Sequence, residues 1–390
     1  MSSFTWPMTF GGARTPRSIS SDGSCFFLQR SMMENLDLRD RIRGCLVGGA
    51  IGDAFGYPLE VVKSYDEIIQ KYGPDGLTGY DLSAVWAVDA EGKAVFSDDT
   101  QMTLFTACGL LNAKTKGMPF ISTICSAYVE WLNTQYNIRR HKYKNCWIGE
   151  LPELNVRRGP GHTCLNALKA IRKGEEPFNS SKGCGGLMRI SPIPLYGLAN
   201  RITDVEVLNT LSAASARLTH MHPLGYIPAY VSSHIIYKLA TASLPDKETF
   251  CSSVKEALQY AFNKYGHDNE CTRSLEQLLQ KAMDLAGADI PDSEAIGMLG
   301  EGWSADEALA IAVFSTARHF NDFGKALISA ANHAGDSDST AAIAGSYFGA
   351  ARGYEAIPAY WKTNLQLEEV ILHVADDLWR GENTKFKNND

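Results

Sequence analysis

The stretch GDSDSTAAIAGSYFGAARG, residues 335–353, joins a turn rich in oxygen ligands to a helix of small residues. Asp336 and Asp338 lie two residues apart on this turn, and Ser339 and Thr340 add hydroxyl groups where the helix should begin. Alanine, glycine and serine fill the predicted helix, and side chains this small let neighbouring helices approach closely. The stretch therefore indicates either an ordinary capped helix start or a metal site on closely packed helices.

A second stretch, SDDTQM at residues 97–102, carries the same ligand chemistry into another apolar helical run. Ser97, Asp98, Asp99 and Thr100 precede this run, and neither cluster contains Lys or Arg. Adjacent carboxylates repel each other unless a cation lies between them, so the repetition favours metal binding over capping. All of these ligands are oxygens, which suit Mg²⁺ or Mn²⁺, whereas a zinc site would require His and Cys.

Helical periodicity covers most of the remaining chain, and the alternation typical of strands never extends beyond a few residues. The segment 38–60 has an apolar stripe at 42–51, and its glycines four residues apart (Gly48, Gly52 and Gly56) predict close helix packing. The pattern predicts an all-α fold with a single orthogonal multi-helix domain at residues 38–385. The other predicted helices cover 102–111, 121–132, 164–172, 204–218, 227–240, 247–264, 272–285, 305–317, 321–331 and 368–378.

Composition restricts the classes of function. The chain has 390 residues, of which 45% are hydrophobic and 21% charged, so it is long enough to bury a sizeable core. Its net charge of -7 argues against general nucleic-acid binding, which requires a basic surface. Nine cysteines without a C-x-x-C pair predict reduced thiols and a cytoplasmic protein. No apolar run is long enough to cross a bilayer, and the N-terminus lacks signal-peptide features, so we expect no membrane association.

Residues 1–37 differ from the rest because they are rich in Ser, Gly and Pro and show no helical period. They predict an extended N-terminal arm. The arm either folds back onto the globular domain or docks on a partner protein, because aromatic residues beside arginine are favoured at binding hot spots. The residues concerned are Phe4, Trp6, Phe10, Phe26, Phe27, Arg14, Arg17 and Arg30.

Two glycine-bearing loops, RGPGHTCLNAL at 158–168 and SKGCGGLMRISPIPL at 181–195, precede helical or apolar segments. Glycine lets backbone N–H groups converge on an anion, and a helix N-terminus adds a favourable dipole. Tight turns also use glycine, and neither loop has the spacing of a P-loop nucleotidase. The candidate substrate-binding residues are Gly161, Ser181, Lys182, Gly183, Cys184 and Gly185.

Four isolated polar residues allow more than one interpretation. Asp53 and Glu60 lie near the end of the first helical segment, where capping or surface exposure is the common fate of a lone acid. His220 and His222 lie at the end of a predicted helix, where they complement its C-terminus or face a ligand.

Taken together, these motifs resemble the ADP-ribosylglycohydrolases. GDAFGYPLE, SDDTQM, RGPGHTCL, SKGCGGLMR, LTHMHP, GDSDSTAAIAG and GYEAIPAYW occur in the order of that family between residue 38 and about residue 379. The resemblance implies a single all-α domain that binds two Mg²⁺ or Mn²⁺ ions in a cleft. It also implies hydrolysis of the bond between C1″ of ADP-ribose and an acceptor atom.

The resemblance further implies roles for individual residues. The segment 181–186 would hold the diphosphate and His220 would lie near the ribose, while Lys182 and Cys184 stand where some members have Tyr and Asn. The general base that accepts the proton of water stays open among Glu60, Asp98 and Asp99. The implied metal ligands are Ser97, Asp98, Asp99, Asp336, Asp338 and Ser339.

The predicted function is metal-dependent removal of mono-ADP-ribose from modified protein side chains, with arginine as the first choice of acceptor. The substrate partner would be a mono-ADP-ribosylated protein. Such activity could give immunity against an ADP-ribosylating toxin, with the N-terminal arm binding the transferase. Two alternatives stay open: a dimetal phosphohydrolase, which would release AMP or phosphate, and an ADP-ribose-binding or partner-binding protein with little turnover.

Overall fold

The computed structural model describes the backbone of residues 21–136, 145–266 and 269–386, and side chains from residue 37 onward within these ranges. The described residues form α-helices, short 3-10 turns and three isolated β-bridges, with no extended strand among them. The all-α prediction is therefore confirmed. The chain divides into two compact units, Met1–Asp37 and Leu38–Asp390.

All ten helices predicted by range appear, and so does the helix of small residues that follows Asp336. Four short helices were not predicted: Tyr65–Tyr72, Pro192–Ala199, Asp292–Gly297 and Ala359–Thr363. In chain order the helices are α1 Ser21–Gly56, α2 Tyr65–Tyr72, α3 Asp98–Lys116, α4 Phe120–Thr134, α5 His162–Arg172, α6 Pro192–Ala199, α7 Val205–Arg217, α8 Pro223–Thr241, α9 Lys247–Tyr265, α10 Glu270–Leu285, α11 Asp292–Gly297, α12 Ala305–Arg318, α13 Phe323–Ala331, α14 Ser337–Arg352, α15 Ala359–Thr363 and α16 Glu368–Arg380. The 3-10 turns are Val85–Ala87, Trp147–Glu150 and Cys184–Gly186.

The start of α1 corrects one prediction. The helix begins at Ser21, so the extended conformation predicted for residues 1–37 is wrong over 21–37. From residue 24 to residue 38 the chain has no Gly or Pro and contains several Leu, Met, Glu and Arg, which favour helix. Residues 1–20, and the side chains of Phe26, Phe27 and Arg30, lie outside the described part. Partner binding by this segment and the domain boundary at 37 stay predictions.

The glycine spacing in the second half of α1 produces close contact with α14. A Cβ at Gly48 would clash with the carbonyl oxygen of Gly345, and a Cβ at Gly52 would clash with the backbone of Ala341. The contact is reciprocal, because a Cβ at Gly349 would meet the carbonyl of Gly44. The predicted close packing is confirmed, and it brings the C-terminal end of α1 against the first turn of α14.

The core surrounds α8, which packs against α7, α9, α12 and α14. Helix α3 packs against α4 and also contacts α14. Both α3 and α14 are buried along almost their entire length, including the polar residues of their first turns. Among the described residues no helix is long and apolar enough to cross a membrane. The fold thus places two polar helix starts inside an otherwise apolar body.

Candidate active site

The side chain of Asp336, at the start of α14, does not cap the helix. Asp336 occupies the N-cap position but its side chain makes no capping hydrogen bond. Its Oδ2 instead accepts a hydrogen bond from the thiol of Cys184 at 2.5 Å. The hydroxyl of Thr340, in the first turn of α14, donates to the carbonyl of Ala330 at the end of α13 at 2.7 Å. Ordinary capping therefore does not explain Asp336.

The first turn of α3 is held by an acid from another helix. Asp53 of α1 is fully buried and accepts hydrogen bonds from Ser97 N at 2.7 Å, Thr100 N at 2.8 Å and Thr100 Oγ1 at 2.6 Å. The Ser97 hydroxyl accepts a further bond from Asp99 N at 3.2 Å. Because these groups satisfy the N-terminal amides, the carboxylates of Asp98 and Asp99 are not needed as caps.

The two helix starts meet at one cavity of about 170 Å³. The hydroxyl of Ser339, on α14, donates to Asp99 Oδ2, on α3, at 2.7 Å. Most of the predicted site residues line this cavity: Glu60, Asp98, Asp99, Gly161, Gly183, Cys184, Gly185, His220, Asp336, Asp338 and Ser339. A larger groove of about 600 Å³ along α10 is lined by none of the predicted site residues. The cavity between α3 and α14 is therefore the candidate active site.

Three predicted site residues do not line the cavity. Ser97 is fully buried and is not among the lining residues. Ser181 Oγ accepts a hydrogen bond from Gly183 N at 3.3 Å and from Thr163 Oγ1 at 3.2 Å, so it shapes the glycine loop. The backbone carbonyl of Lys182 accepts a hydrogen bond from Ala305 N at 2.8 Å, which ties the loop to the start of α12.

Six further residues that were not predicted also line the cavity. Trp303 lines it with 46% of its surface exposed, and its carbonyl accepts a hydrogen bond from Cys184 N at 3.1 Å. The only local signal was a tryptophan within GEGWS, a glycine-bearing loop between two helices. The remaining unpredicted lining residues are Gly159, His162, Thr163, Cys164 and Met188.

Burial and like charges make the cavity electrostatically unfavourable for so many carboxylates. Burial, and then the charges of Asp338, Asp336 and Asp98, raise the pKa of Glu60 to about 10. Burial, and then the charge of Asp338, raise the pKa of Asp53 to about 7. Burial also raises the pKa of Asp98, Asp99, Asp336 and Asp338. Positive charge is required before these groups can all be ionised near neutral pH.

The two histidines have different positions. His222 is the N-cap of α8, where its Nδ1 accepts a hydrogen bond from Leu224 N at 3.1 Å. The suggestion that it complements a helix C-terminus is therefore wrong, because α8 begins directly after it. His220 lies in the turn between α7 and α8 and lines the cavity. Burial, and then the charge of Arg189, lower the pKa of His220 to about 3, so its ring is neutral.

Comparison with known proteins identifies the family of this chain. Residues 34–388 match the family model of the ADP-ribosylglycohydrolases, so the chain belongs to that family. Among its relatives is the protein named ADP-ribosylhydrolase ARH3 from Gallus gallus, 25% identical over 374 residues, which cover 87% of this chain and 92% of that protein. Another is ADP-ribosylarginine hydrolase Tri1 from Serratia proteamaculans, 23% identical over 350 residues, covering 87% of this chain and 79% of that protein.

A solved structure shares the fold. The structure named ADP-ribosylglycohydrolase-related protein complex superposes with a TM-score of 0.60 at 21% identity, covering 89% of this chain and 99% of that one. The family resemblance drawn from the motifs is thus confirmed. The family assignment supports glycohydrolase activity.

Proposed function

We propose that this protein is a divalent-cation-dependent hydrolase that removes mono-ADP-ribose from arginine side chains of proteins. The observation that carries the proposal is the convergence of five acids, from α3, α14 and the segment after α1, on one cavity beside a glycine loop. Their shared location is what a site for a cation and a polar sugar needs. The family assignment adds the class of bond to be hydrolysed.

The residues present fit a hard divalent cation by their chemistry. Carboxylate and hydroxyl oxygens are the ligands that Mg²⁺ and Mn²⁺ prefer. Burial, and then the charge of Asp338, raise the pKa of Asp336 and Asp98, and a bound cation would offset both effects. Asp98, Asp99, Asp336, Asp338 and Ser339 would hold it. Within the described residues no group of three or more acids, histidines or cysteines is already disposed as a metal site.

Two hydrogen bonds hold the carboxylates of Asp99 and Asp336 in their present positions. Ser339 donates to Asp99 Oδ2, and Cys184 donates to Asp336 Oδ2, so both carboxylate oxygens are already engaged. Each carboxylate keeps further lone pairs on its two oxygens, so these hydrogen bonds leave acceptor sites for a cation. When bound, the cation supplies positive charge that offsets the carboxylates and polarises an oxygen of the substrate.

The glycine loop and α5 supply the remaining contacts for ADP-ribose. Gly183 and Gly185 expose backbone to the cavity without a side chain, and Gly161 is the N-cap of α5. Backbone N–H groups at such positions bind the oxygens of a diphosphate. His220, in the turn between α7 and α8, lines the cavity beside this loop and would contact the ligand there.

In the proposed reaction, water attacks C1″ of the ribose and the guanidine nitrogen leaves with the bonding electrons. Glu60 accepts the proton of water once positive charge in the site has lowered its pKa from about 10. The leaving nitrogen takes a proton, so the products are ADP-ribose and unmodified arginine. Asp98 and Asp99 hold their charge close to C1″, where positive charge develops.

Two observations favour arginine as the acceptor. The relative from Serratia proteamaculans is named for hydrolysis of ADP-ribosylarginine. Trp303, half-exposed along the cavity, offers an aromatic ring of the kind on which a guanidinium group stacks.

The test is release of free ADP-ribose from a mono-ADP-ribosyl-arginine protein in Mg²⁺, followed by chromatography. We expect Asp98→Ala and Asp336→Ala each to lower the rate by at least about a hundredfold, the scale of positioned acid–base groups. Asp289→Ala is the matched control, because Asp289 is exposed and lies outside the cavity.

The products decide between the alternatives. Release of AMP or phosphate in place of ADP-ribose would identify a phosphohydrolase. Tight binding of ADP-ribose without release from arginine, serine or other linkages would identify a binding protein. Equal loss of activity in Asp289→Ala would attribute the effect of the other variants to folding.

A further inference from the structure

Arg189 is a buried charge that the proposed mechanism does not use. It follows the glycine loop in the motif GGLMR, and its side chain is fully buried. Its guanidinium lies 4.2 Å from the centre of the Tyr128 ring. Among the described residues no carboxylate lies within ion-pair distance of it, and its Nε has no hydrogen-bond partner. Burial of an arginine without a counter-ion is costly, so its remaining contacts call for an explanation.

Those contacts lead directly to the candidate active site. Arg189 Nη2 donates to the carbonyl of Ser215 at 3.1 Å and to Thr219 Oγ1 at 2.7 Å. Thr219 Oγ1 in turn lies 2.9 Å from His220 Nδ1. A chain of two hydrogen bonds therefore joins the buried cation to the histidine that lines the cavity.

The direction of the second bond follows from the first. Thr219 Oγ1 accepts a hydrogen from Arg189, which leaves its own single hydrogen free to donate. The acceptors within reach include His220 Nδ1 at 2.9 Å and the carbonyl of Ala216 at 3.4 Å. The sulfur of Cys164 also contacts this hydroxyl, but sulfur is a weak acceptor. The shorter bond is the better one, and a hydroxyl polarised by a nearby cation is a stronger donor. Nδ1 is then the acceptor, so the hydrogen of the neutral ring resides on Nε2.

The other face of the ring is open towards the ligand. His220 Nε2 has no hydrogen-bond partner among the described residues. A Cβ added at Gly183 or Gly185 would lie 3.3 Å or 3.4 Å from Nε2, so the two glycines leave room at this atom. The N–H on Nε2 is directed to the space that the glycine loop shares with the cavity.

We propose that Arg189 is a positioning residue that acts through Thr219, fixing His220 as the Nε2–H tautomer so that this N–H donates to an oxygen of bound ADP-ribose. The inference rests on the proposed function only for the identity of the ligand. The tautomer itself is a property of the free protein. Arg189 touches neither substrate nor reacting atoms.

The experiment uses the full chain labelled with ¹⁵N-histidine and long-range ¹H–¹⁵N correlation spectra, with His220→Gln assigning the signal. We expect the unchanged protein to show the Nε2–H tautomer of His220. Thr219→Val removes the hydroxyl and should give a mixture of tautomers, with ADP-ribose binding weakened roughly threefold to tenfold, the scale of one hydrogen bond. Thr219→Ser restores the hydroxyl and should restore both the tautomer and the affinity.

Arg189→Met should shift the tautomer in the same direction as Thr219→Val. If that variant does not fold, the Thr219 pair decides alone. An Nδ1–H or charged His220 in the unchanged protein, or an unchanged spectrum in Thr219→Val, would overturn the proposal. If the tautomer responds as expected but ADP-ribose does not bind, the proposed function fails and with it the role of His220 towards that ligand. If ADP-ribose binds equally to both Thr219 variants, only the positioning role fails.

Discussion

The starts of α3 and α14 carry the same kinds of residue, but the fold holds them differently. At α3, an acid from another helix, Asp53, accepts hydrogen bonds from two N-terminal amides and one hydroxyl. At α14, the amide of Asp336 donates to the carbonyl of Glu301 at 2.9 Å, and Asp338 Oδ1 accepts from the adjacent amide at 2.9 Å. One helix start is capped by a distant side chain and the other by backbone and local groups.

The difference shows how acidic helix starts become available for ligands. Acids at the beginning of a helix normally satisfy its free N–H groups. Here other groups satisfy most of them, so Asp98, Asp99 and Asp336 face the cavity. The two starts are also held together, because the glycines of α1 let it pack directly on α14 while Asp53, on the same helix, caps α3.

The largest expected effect comes from separating α1 from α14. Gly52→Ala would place a methyl group against the backbone of Ala341 and Ala342, next to Asp53. Backbone cannot move aside as a side chain can, so we expect the free energy of unfolding to fall by about 3 kcal/mol. Chemical denaturation measures it, and ADP-ribose release should fall in parallel.

Gly297→Ala is the control for that change, because a Cβ there would meet no atom within 4 Å. Its free energy of unfolding should stay within about 0.5 kcal/mol of the unchanged protein. A similar loss in both variants would show that the α1–α14 contact has no special role in stability.

The contrast between the two starts also explains what the sequence could predict. The acids of SDDT and DSDST are contiguous, so their chemistry was visible without a structure. The glycines at spacing four predicted close helix packing for the same reason, but not that α14 would be the partner. Asp53 has no such local pattern, because its role depends on a contact with Thr100, 47 residues away. Trp303 was missed because only the path of its loop across the glycine loop brings it to the cavity.

The extended conformation predicted for residues 21–37 was wrong for a different reason. Ser, Gly and Pro near the N-terminus suggested one irregular segment up to residue 37, but the composition changes at about residue 24. Helix-favouring residues then continue into the apolar stripe of α1. Because residues 1–37 were treated as one segment, this change in composition was concealed.

The second-largest expected effect is a dependence of stability on pH, which arises from the raised pKa of Asp53. The pKa of Asp53 is raised from 3.8 to about 7, so the folded metal-free protein binds more protons than the unfolded chain between these values. Its free energy of unfolding should therefore decrease as pH rises from 4 to 7. Asp81 and Asp376, with pKa values lowered to about 2, are ionised throughout and add no slope above pH 5.

Mg²⁺ should offset this decrease in the free energy of unfolding. At a hundredfold excess over its dissociation constant, a ligand that binds only the folded state adds about 2.7 kcal/mol. We expect a larger gain at pH 8 than at pH 5, because protons and cations compete for the same carboxylates. Denaturation in EDTA and in Mg²⁺ at both values measures it, with Asp98→Asn/Asp336→Asn as the control. An equal gain in that control would place cation binding elsewhere.

The smallest expected effect comes from changing Asp53, the residue of α1 that caps the start of α3. In Asp53→Asn the side-chain amide must face one of the donors that the carboxylate accepts, so one N–H or hydroxyl at the α3 start loses its acceptor. The side chains of Asp98 and Asp99 should then change position. ADP-ribose release should fall about 10- to 100-fold, which is the usual effect of changing a group that orients metal ligands. Steady-state rates across a Mg²⁺ titration check this.

Thr340→Val is the matched change at α14. It removes the hydroxyl that donates to the carbonyl of Ala330 and also lies 2.9 Å from the backbone carbonyl of Asp336, but this hydroxyl makes no hydrogen bond to a carboxylate among the described residues. We expect a loss of about 1 kcal/mol in the free energy of unfolding, as for other lost hydrogen bonds, with activity reduced less than in Asp53→Asn. If Thr340→Val lowers activity as much, then the acids of both starts depend equally on local order. Asp53 would then have no separate part in orienting Asp98 and Asp99.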